Sequence, residues 1–209
     1  MIESVIVAII AYLIGSINFS VILSKKMAGF DVREKGSGNA GTTNMLRSVG
    51  KKAAAITLIC DILKGVVAIL IAMFIGNIIK GTNNSLLVQI AGVAVILGHT
   101  FPIFFKFKGG KGVATSLGVL IMSNWQIGLI CLVFALILMT LTKMVSVGSI
   151  AAAILYPVLT LFIPDNYIVQ GHYLIYSIIL AVIIVFNHRE NVKRLLNGTE
   201  NKISFKGTN

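Results

Sequence analysis

Residues 4–23 run for twenty positions without a charged side chain. That is the length a helix needs to cross the roughly 30 Å hydrocarbon core of a bilayer. Further apolar runs cover about residues 53–79, 86–105, 113–122, 127–141, 147–163 and 168–186. A backbone in lipid finds no water to bond, so runs of this kind must satisfy their own N–H and C=O groups as helices. The 209-residue chain is 56% hydrophobic and 12% charged, where a soluble domain carries roughly a quarter charged residues. The expected fold is all-α: a polytopic integral membrane protein of seven transmembrane helices, with residues 1–209 as a single domain. The run 113–122 is the weak member, because a straight helix of that length falls short of the core. It either begins within the preceding loop or crosses a thinned region lined by protein.

The distribution of charge sets the orientation. Glu3 precedes the first run, in place of the basic n-region of a signal peptide, so that run is expected to stay as a helix. Lys25 and Lys26 follow it directly. With the N-terminus outside, segments 25–52, 98–112, Lys143 and 188–209 fall on the cytoplasmic side, the C-terminus included. They hold 16 of the 18 Lys and Arg residues, the exceptions being Lys64 within the second run and Lys80 in an outer turn. Such a bias is the positive-inside pattern. The net charge of +11 therefore belongs to one membrane face, which excludes nucleic acid as a partner. Cys60 and Cys131 sit inside apolar runs, and His99, His172 and His188 lie far apart. Neither a disulfide framework, a metal site nor a cofactor is expected.

Three polar clusters share the basic face. In the first, Gly36, Gly38 and Gly41 free the backbone around Ser37, Asn39, Thr42, Thr43 and Asn44, and Arg47 adds a planar fork suited to phosphate. A helix starting near Thr42 would add N–H donors and a favourable dipole for an anion. The second is Asp61 with Lys64, three apart on one helix face and inside a span. A charge there costs roughly 2.5–3.5 kcal/mol on insertion scales, so it marks either function or an ion pair that fixes packing. The third runs from Gly98 and His99 to Thr115, where Lys106, Lys108 and Lys111 are interleaved with Gly109, Gly110 and Gly112. Lysines among glycines let backbone N–H groups reach an anionic oxygen while its charge is neutralised. Ser146 lies just past Lys143, and His188, Arg189 and Asn191 follow the last run. Phosphate donors abound and side-chain bases are few. That balance fits a reaction driven by positioning and charge stabilisation between phosphorylated substrates, one of them lipid-tailed.

At these residues the sequence resembles the bacterial acyl-phosphate:glycerol-3-phosphate acyltransferases, the PlsY type. The stretches that carry the resemblance are 36–44 with Arg47, Asp61 to Gly65, 98–115, and 188–195. The resemblance implies a multi-pass enzyme of the bacterial cytoplasmic membrane with its active site on the cytoplasmic face. Such enzymes move a fatty acyl group from acyl phosphate to the 1-hydroxyl of glycerol 3-phosphate, giving lysophosphatidic acid and inorganic phosphate. Carried over, Gly109, Gly110, Lys111 and Gly112 would cradle the acyl phosphate with Ser37 and Thr43. Arg47, Lys108, Ser146, His188 and Asn191 would bind glycerol 3-phosphate and orient its hydroxyl. Asn39 and Asn44 join the substrate-binding set, as do Asp61, Lys64 and His99, chiefly as supports of the loops. The pattern argues against other classes. The outer loops are short and nearly uncharged, which disfavours a transporter. Span two offers one aspartate where a metal-dependent phosphatidyltransferase needs several, and no lipid-phosphatase nucleophile motif is present.

Overall fold

The computed structural model describes residues 1–79, 83–163 and 173–203, which form helices and turns with no strand among them. Lys80, the stop at Pro164, His172 and the expected start of the last run (168–172) lie outside the described residues. The helices are α1 (Ile2–Gly15), α2 (Phe19–Ala28), α3 (Thr42–Ser48), α4 (Lys51–Ile78), α5 (Asn84–Thr100), α6 (Val113–Ser123), α7 (Trp125–Thr142), α8 (Val145–Leu159), α9 (Tyr173–Asn187) and α10 (Arg189–Leu196), with short 3₁₀ turns at Val32–Glu34 and Ile103–Phe105. They group into two compact units, Met1–Trp125 and the described residues from Gln126 onward.

In the first unit α4 is the central post. Its 28 residues rise about 42 Å. Leu58, Ile59, Leu63, Val67, Leu70 and Phe74 form an exposed apolar face along it, as a lipid-facing helix requires. Its other side packs against α5, α6 and α1. Small residues make these crossings close, since backbones can approach where no side chain intervenes. Gly65 of α4 lies against the Thr115 carbonyl of α6, and Gly118 of α6 against the Ile62 carbonyl of α4. Gly15 and Gly98 do the same for α1 and α5, meeting the carbonyls of Val95 and Tyr12. Beneath the polar loop that leads into α3, Val21, Val32, Ala40, Met45, Ala53 and Ala54 form a buried apolar cluster. That cluster anchors the loop to α2 and α4.

The first apolar run is not one straight helix. It breaks between Gly15 and Phe19, where Asn18 caps α2 by accepting from the Val21 N–H at 3.2 Å. An asparagine competes with the helix for backbone donors, so it ends one helix and starts the next. The run expected at 113–122 is α6, eleven residues that start where the glycine loop ends. Asn83, which opens an Asn-Asn-Ser pattern, caps α5 through the Leu86 N–H.

In the second unit α7 and α8 cross at Gly148, which lies against the Ala135 carbonyl. The Cys131 thiol donates to the Ala152 carbonyl at 3.7 Å. Lys143 turns the chain between them with φ 60°, and Tyr156 of α8 meets Tyr173 of α9 edge-on at 6.1 Å. At His188 the chain bends by 60° into α10.

Among the described residues four helical stretches have the length and apolarity to cross a membrane: Ile2–Ala28, Lys51–Ile78, Asn84–Phe105 and Trp125–Thr142. The bent pair α9–α10 makes a fifth if taken as one span, while Val113–Ser123 and Val145–Leu159 are apolar but shorter. The chain is a multi-pass membrane protein. A methyl group at Gly118 or Gly98 would press on a backbone carbonyl that cannot yield. Gly118→Ala and Gly98→Ala are each expected to cost about 1–3 kcal/mol, read as a lower unfolding midpoint in detergent. Ile59→Ala, on the exposed face, should leave the midpoint near the wild type.

Candidate active site

The first unit places a charged network inside its helices. Asp61 and Lys64, a turn apart on α4, are 1% and 4% exposed. The Lys64 ammonium lies 2.9 Å from Asp61 Oδ1 and donates to the carbonyls of Gly15 and Ile17 at 3.1 and 3.2 Å. Those carbonyls flank the break between α1 and α2. His99, near the end of α5, brings Nδ1 to 3.6 Å from the same carboxylate oxygen. Buried charges persist only when paired and hydrogen-bonded, and here the pairing ties α1, α2, α4 and α5 together. The geometry gives Asp61, Lys64 and His99 a supporting position.

His99 also seats the glycine loop. The Gly110 N–H donates to the His99 carbonyl and the Gly109 N–H to the Thr100 carbonyl, both at 3.1 Å. The loop is thereby folded back onto the end of α5. A side chain at Gly110 would strike the His99 imidazole and the Ala40 carbonyl, so only glycine permits this approach, which brings the third cluster against the first. Both of these N–H donors are thus engaged by α5, and the two glycines bring the loop backbone close to its end. Gly112, at φ 87°, begins α6 without a side-chain cap, so the donors of this loop lie at the first turn of α6.

The first cluster is organised from within. Asn44 Oδ1 accepts from the Ser37 N–H at 2.9 Å, and its Nδ2 donates to the carbonyls of Val32, Lys35 and Asn39 at 2.8, 3.0 and 3.0 Å. Only 2% exposed and holding these bonds, Asn44 is the hub of the loop. The hub leaves Ser37 and Arg47 exposed, with Asn39 and Thr43 half-buried. The helix expected near Thr42 begins there, after Gly41. A cleft of about 400 Å³ opens beside both loops, lined by Asp31, Arg33, Glu34, Gly38, Lys106, Lys108 and Gly109. Hydrogen bonds from Arg33 hold the Asp31 carboxyl below its ordinary range, against the opposing effect of burial.

The second unit joins its own candidates through a residue that sequence reasoning left in the tail. Glu200 Oε1 accepts from Ser146 Oγ at 2.9 Å and from Asn191 Nδ2 at 2.8 Å, and its Oε2 accepts from Arg194 Nε at 2.9 Å. The Ile203 N–H bonds the Lys143 carbonyl at 2.7 Å, fixing the tail beside α8. His188, one turn before Asn191, sets Nδ1 2.8 Å from the Ile184 carbonyl. A carbonyl can only accept, so Nδ1 carries a proton. Glu200 was detectable only as a lone acid four residues past a basic helix; the contacts come from folding. Among the described residues no group of three His, Cys, Asp or Glu side chains could hold a metal.

The family model described as glycerol-3-phosphate acyltransferase matches residues 5–198. Relatives include the glycerol-3-phosphate acyltransferases of Clostridioides difficile (strain 630), 43% identical over 97% of this chain and 96% of that one, and of Thermoanaerobacter pseudethanolicus (strain ATCC 33223 / 39E), 45% identical over 97% of each. Two crystal forms of PlsY (YgiH), an integral membrane glycerol 3-phosphate acyltransferase, superpose on it. The glycerol 3-phosphate form has a TM-score of 0.85 at 36% identity over 96% of each chain. The lysophosphatidic acid form has 0.83 at 34%, over 96% of this chain and 95% of that one. The chain belongs to the glycerol-3-phosphate acyltransferase family.

Burial tends to raise the Glu200 carboxyl, but the hydrogen bonds from Asn191, Ser146 and Arg194 outweigh it and hold the group below its ordinary value of 4.5. A depressed carboxylate stabilises the fold above its unfolded value, and that contribution is lost as pH falls through the folded value. The unfolding midpoint in detergent should therefore drop on acidification below the ordinary carboxylate value. Glu200→Gln should start lower at neutral pH and show less of that drop.

Proposed function

We propose that the chain transfers a fatty acyl group from acyl phosphate to the 1-hydroxyl of glycerol 3-phosphate, yielding lysophosphatidic acid and inorganic phosphate. It does so as one catalytic domain of seven spans, with the N-terminus outside and the active site on the cytoplasmic face of a bacterial plasma membrane. The observation that carries the reading is the glycine loop. It is laid on the α5 carbonyls through Gly109 and Gly110 and leads with Lys108, Lys111 and Gly112 into an uncapped helix. An arrangement of this kind presents cationic side chains and first-turn N–H groups to an anion while its backbone is held fixed. The solved relatives named above, in glycerol 3-phosphate and lysophosphatidic acid forms, supply the substrate and product classes. The bias of Lys and Arg to one side supports the orientation.

In this reading Lys111, Gly112 and the start of α6 hold the acyl phosphate, with Ser37 and Thr43. Arg47 and Lys108 neutralise phosphate charge. Ser146, His188 and Asn191 bind glycerol 3-phosphate and orient its attacking hydroxyl. The hydroxyl oxygen attacks the acyl carbonyl carbon directly, forming the ester bond. The bond from that carbon to the bridging phosphate oxygen breaks, and the phosphate leaves with the electron pair. Phosphate is already a good leaving group, so the cationic loop need only stabilise its departing charge. The proton passes to a substrate phosphate oxygen, consistent with the scarcity of side-chain bases.

Detergent-solubilised protein given acyl phosphate and labelled glycerol 3-phosphate should form labelled lysophosphatidic acid without a sealed membrane. Absence of that product would refute the assignment. Arg47→Ala and Lys108→Ala should each lower turnover by about 10²-fold or more with membrane insertion intact; full activity in both would remove them from the site. Mass spectrometry of protein quenched during turnover should find no acylated side chain, and a trapped acyl-enzyme would overturn direct attack.

A further inference from the structure

The glycine loop turns through a corner that the sequence does not favour. Lys106 and Phe107 are consecutive non-glycine residues at φ 57° and 56°, the left-handed region that L side chains adopt only at a steric cost. Two carbonyls bracket this corner, those of Phe105 and Lys108, and one nitrogen takes both. Arg33 Nη1 donates to the Phe105 carbonyl at 2.8 Å and to the Lys108 carbonyl at 3.0 Å. The other edge of the guanidinium is gripped by Asp31, Nε to Oδ1 at 2.9 Å and Nη2 to Oδ2 at 2.7 Å. Asp31 is itself held. It accepts from the Arg33 N–H at 3.0 Å, lies 3.6 Å from the Lys25 ammonium, and is only 9% exposed at its side chain. The next residue, Val32, donates its N–H to Ser24 Oγ of α2 at 3.1 Å. A rigid line therefore runs from α2 through Asp31 and the Arg33 fork to the backbone of Lys108.

We infer that Arg33 is a positioning residue. Its fork clamps the strained corner at Lys106 and Phe107 and so fixes where Lys108 and the following Gly109 stand, without itself touching substrate. Lysine cannot replace it, because a single ammonium cannot face two carbonyls and a bidentate carboxylate at once. The inference rests on the role given above to Lys108, and its test includes one readout that does not depend on turnover. Arg33→Lys and Arg33→Ala, measured as solubilised full-length protein, should both lose about ten- to a hundredfold in kcat/KM for glycerol 3-phosphate. Trypsin should cut after Lys108 faster in both variants than in the wild type. Adding Lys106→Gly, which removes strain at one corner position, should return part of the lost rate to Arg33→Ala and slow the cut. Wild-type activity and protection in Arg33→Lys would reduce the residue to a mere charge and overturn the clamp. So would unchanged cleavage in both variants, whatever their activity. Arg33→Lys decides the matter alone if Arg33→Ala does not survive solubilisation. A wild-type protein that turns over no acyl phosphate defeats the proposed function, while the cleavage comparison still judges the clamp.

Discussion

One ammonium group buried in the helices holds the first unit together. Lys64 sits where a charge is costly, and it is retained because three partners converge on it: the Asp61 carboxylate and the carbonyls of Gly15 and Ile17. Removing any one partner would leave a buried charge or a buried carbonyl unmatched, and that penalty exceeds the net worth of the pair. The break between α1 and α2 depends on it, since exposed carbonyls within a span need a donor. The glycine loop depends on it at one remove. Asp61 faces His99, and the His99 carbonyl receives the Gly110 N–H. The polar chemistry at the helix ends thus rests on an ion pair within the helices.

This arrangement divides the loops into groups engaged by the backbone and groups left exposed. Asn44 spends its amide on four backbone groups, and Gly109 and Gly110 spend their N–H donors on α5. Ser37, Arg47 and Lys108 remain exposed. In the proposed reaction that division suits electrostatic catalysis. A leaving phosphate is stabilised most by donors already in place, which do not reorganise as charge develops. Rigidity bought by the first group serves the second.

Much of the fold was legible because lipid imposes simple demands. Uncharged stretches such as 4–23 must be helical. Gly118 and Gly98 could not be singled out from the other glycines, since a close crossing involves a helix distant in the chain. The break at Asn18 stayed hidden in an apolar run, because the residue that satisfies its carbonyls, Lys64, lies 46 positions away. For the site, the clusters and their residue types were visible, yet hubs and ligands were not separable. Arg33 and Glu200 looked like ordinary interfacial charge until their partners were in view: Phe105 and Lys108 for one, Ser146 and Asn191 for the other.

Sequence alone determined the solvent this chain lives in, the helical character of its spans, the family and the chemistry its loops favour. Those properties follow from residue type, run length and motif spacing, which are local and nearly additive along the chain. Tertiary structure alone decided which partners Asp61, Lys64, His99, Asn44, Gly109 and Gly110 find and which loop groups stay exposed. A donor's role is fixed by the acceptor it finds, and in this protein the decisive acceptors lie on other elements of the fold.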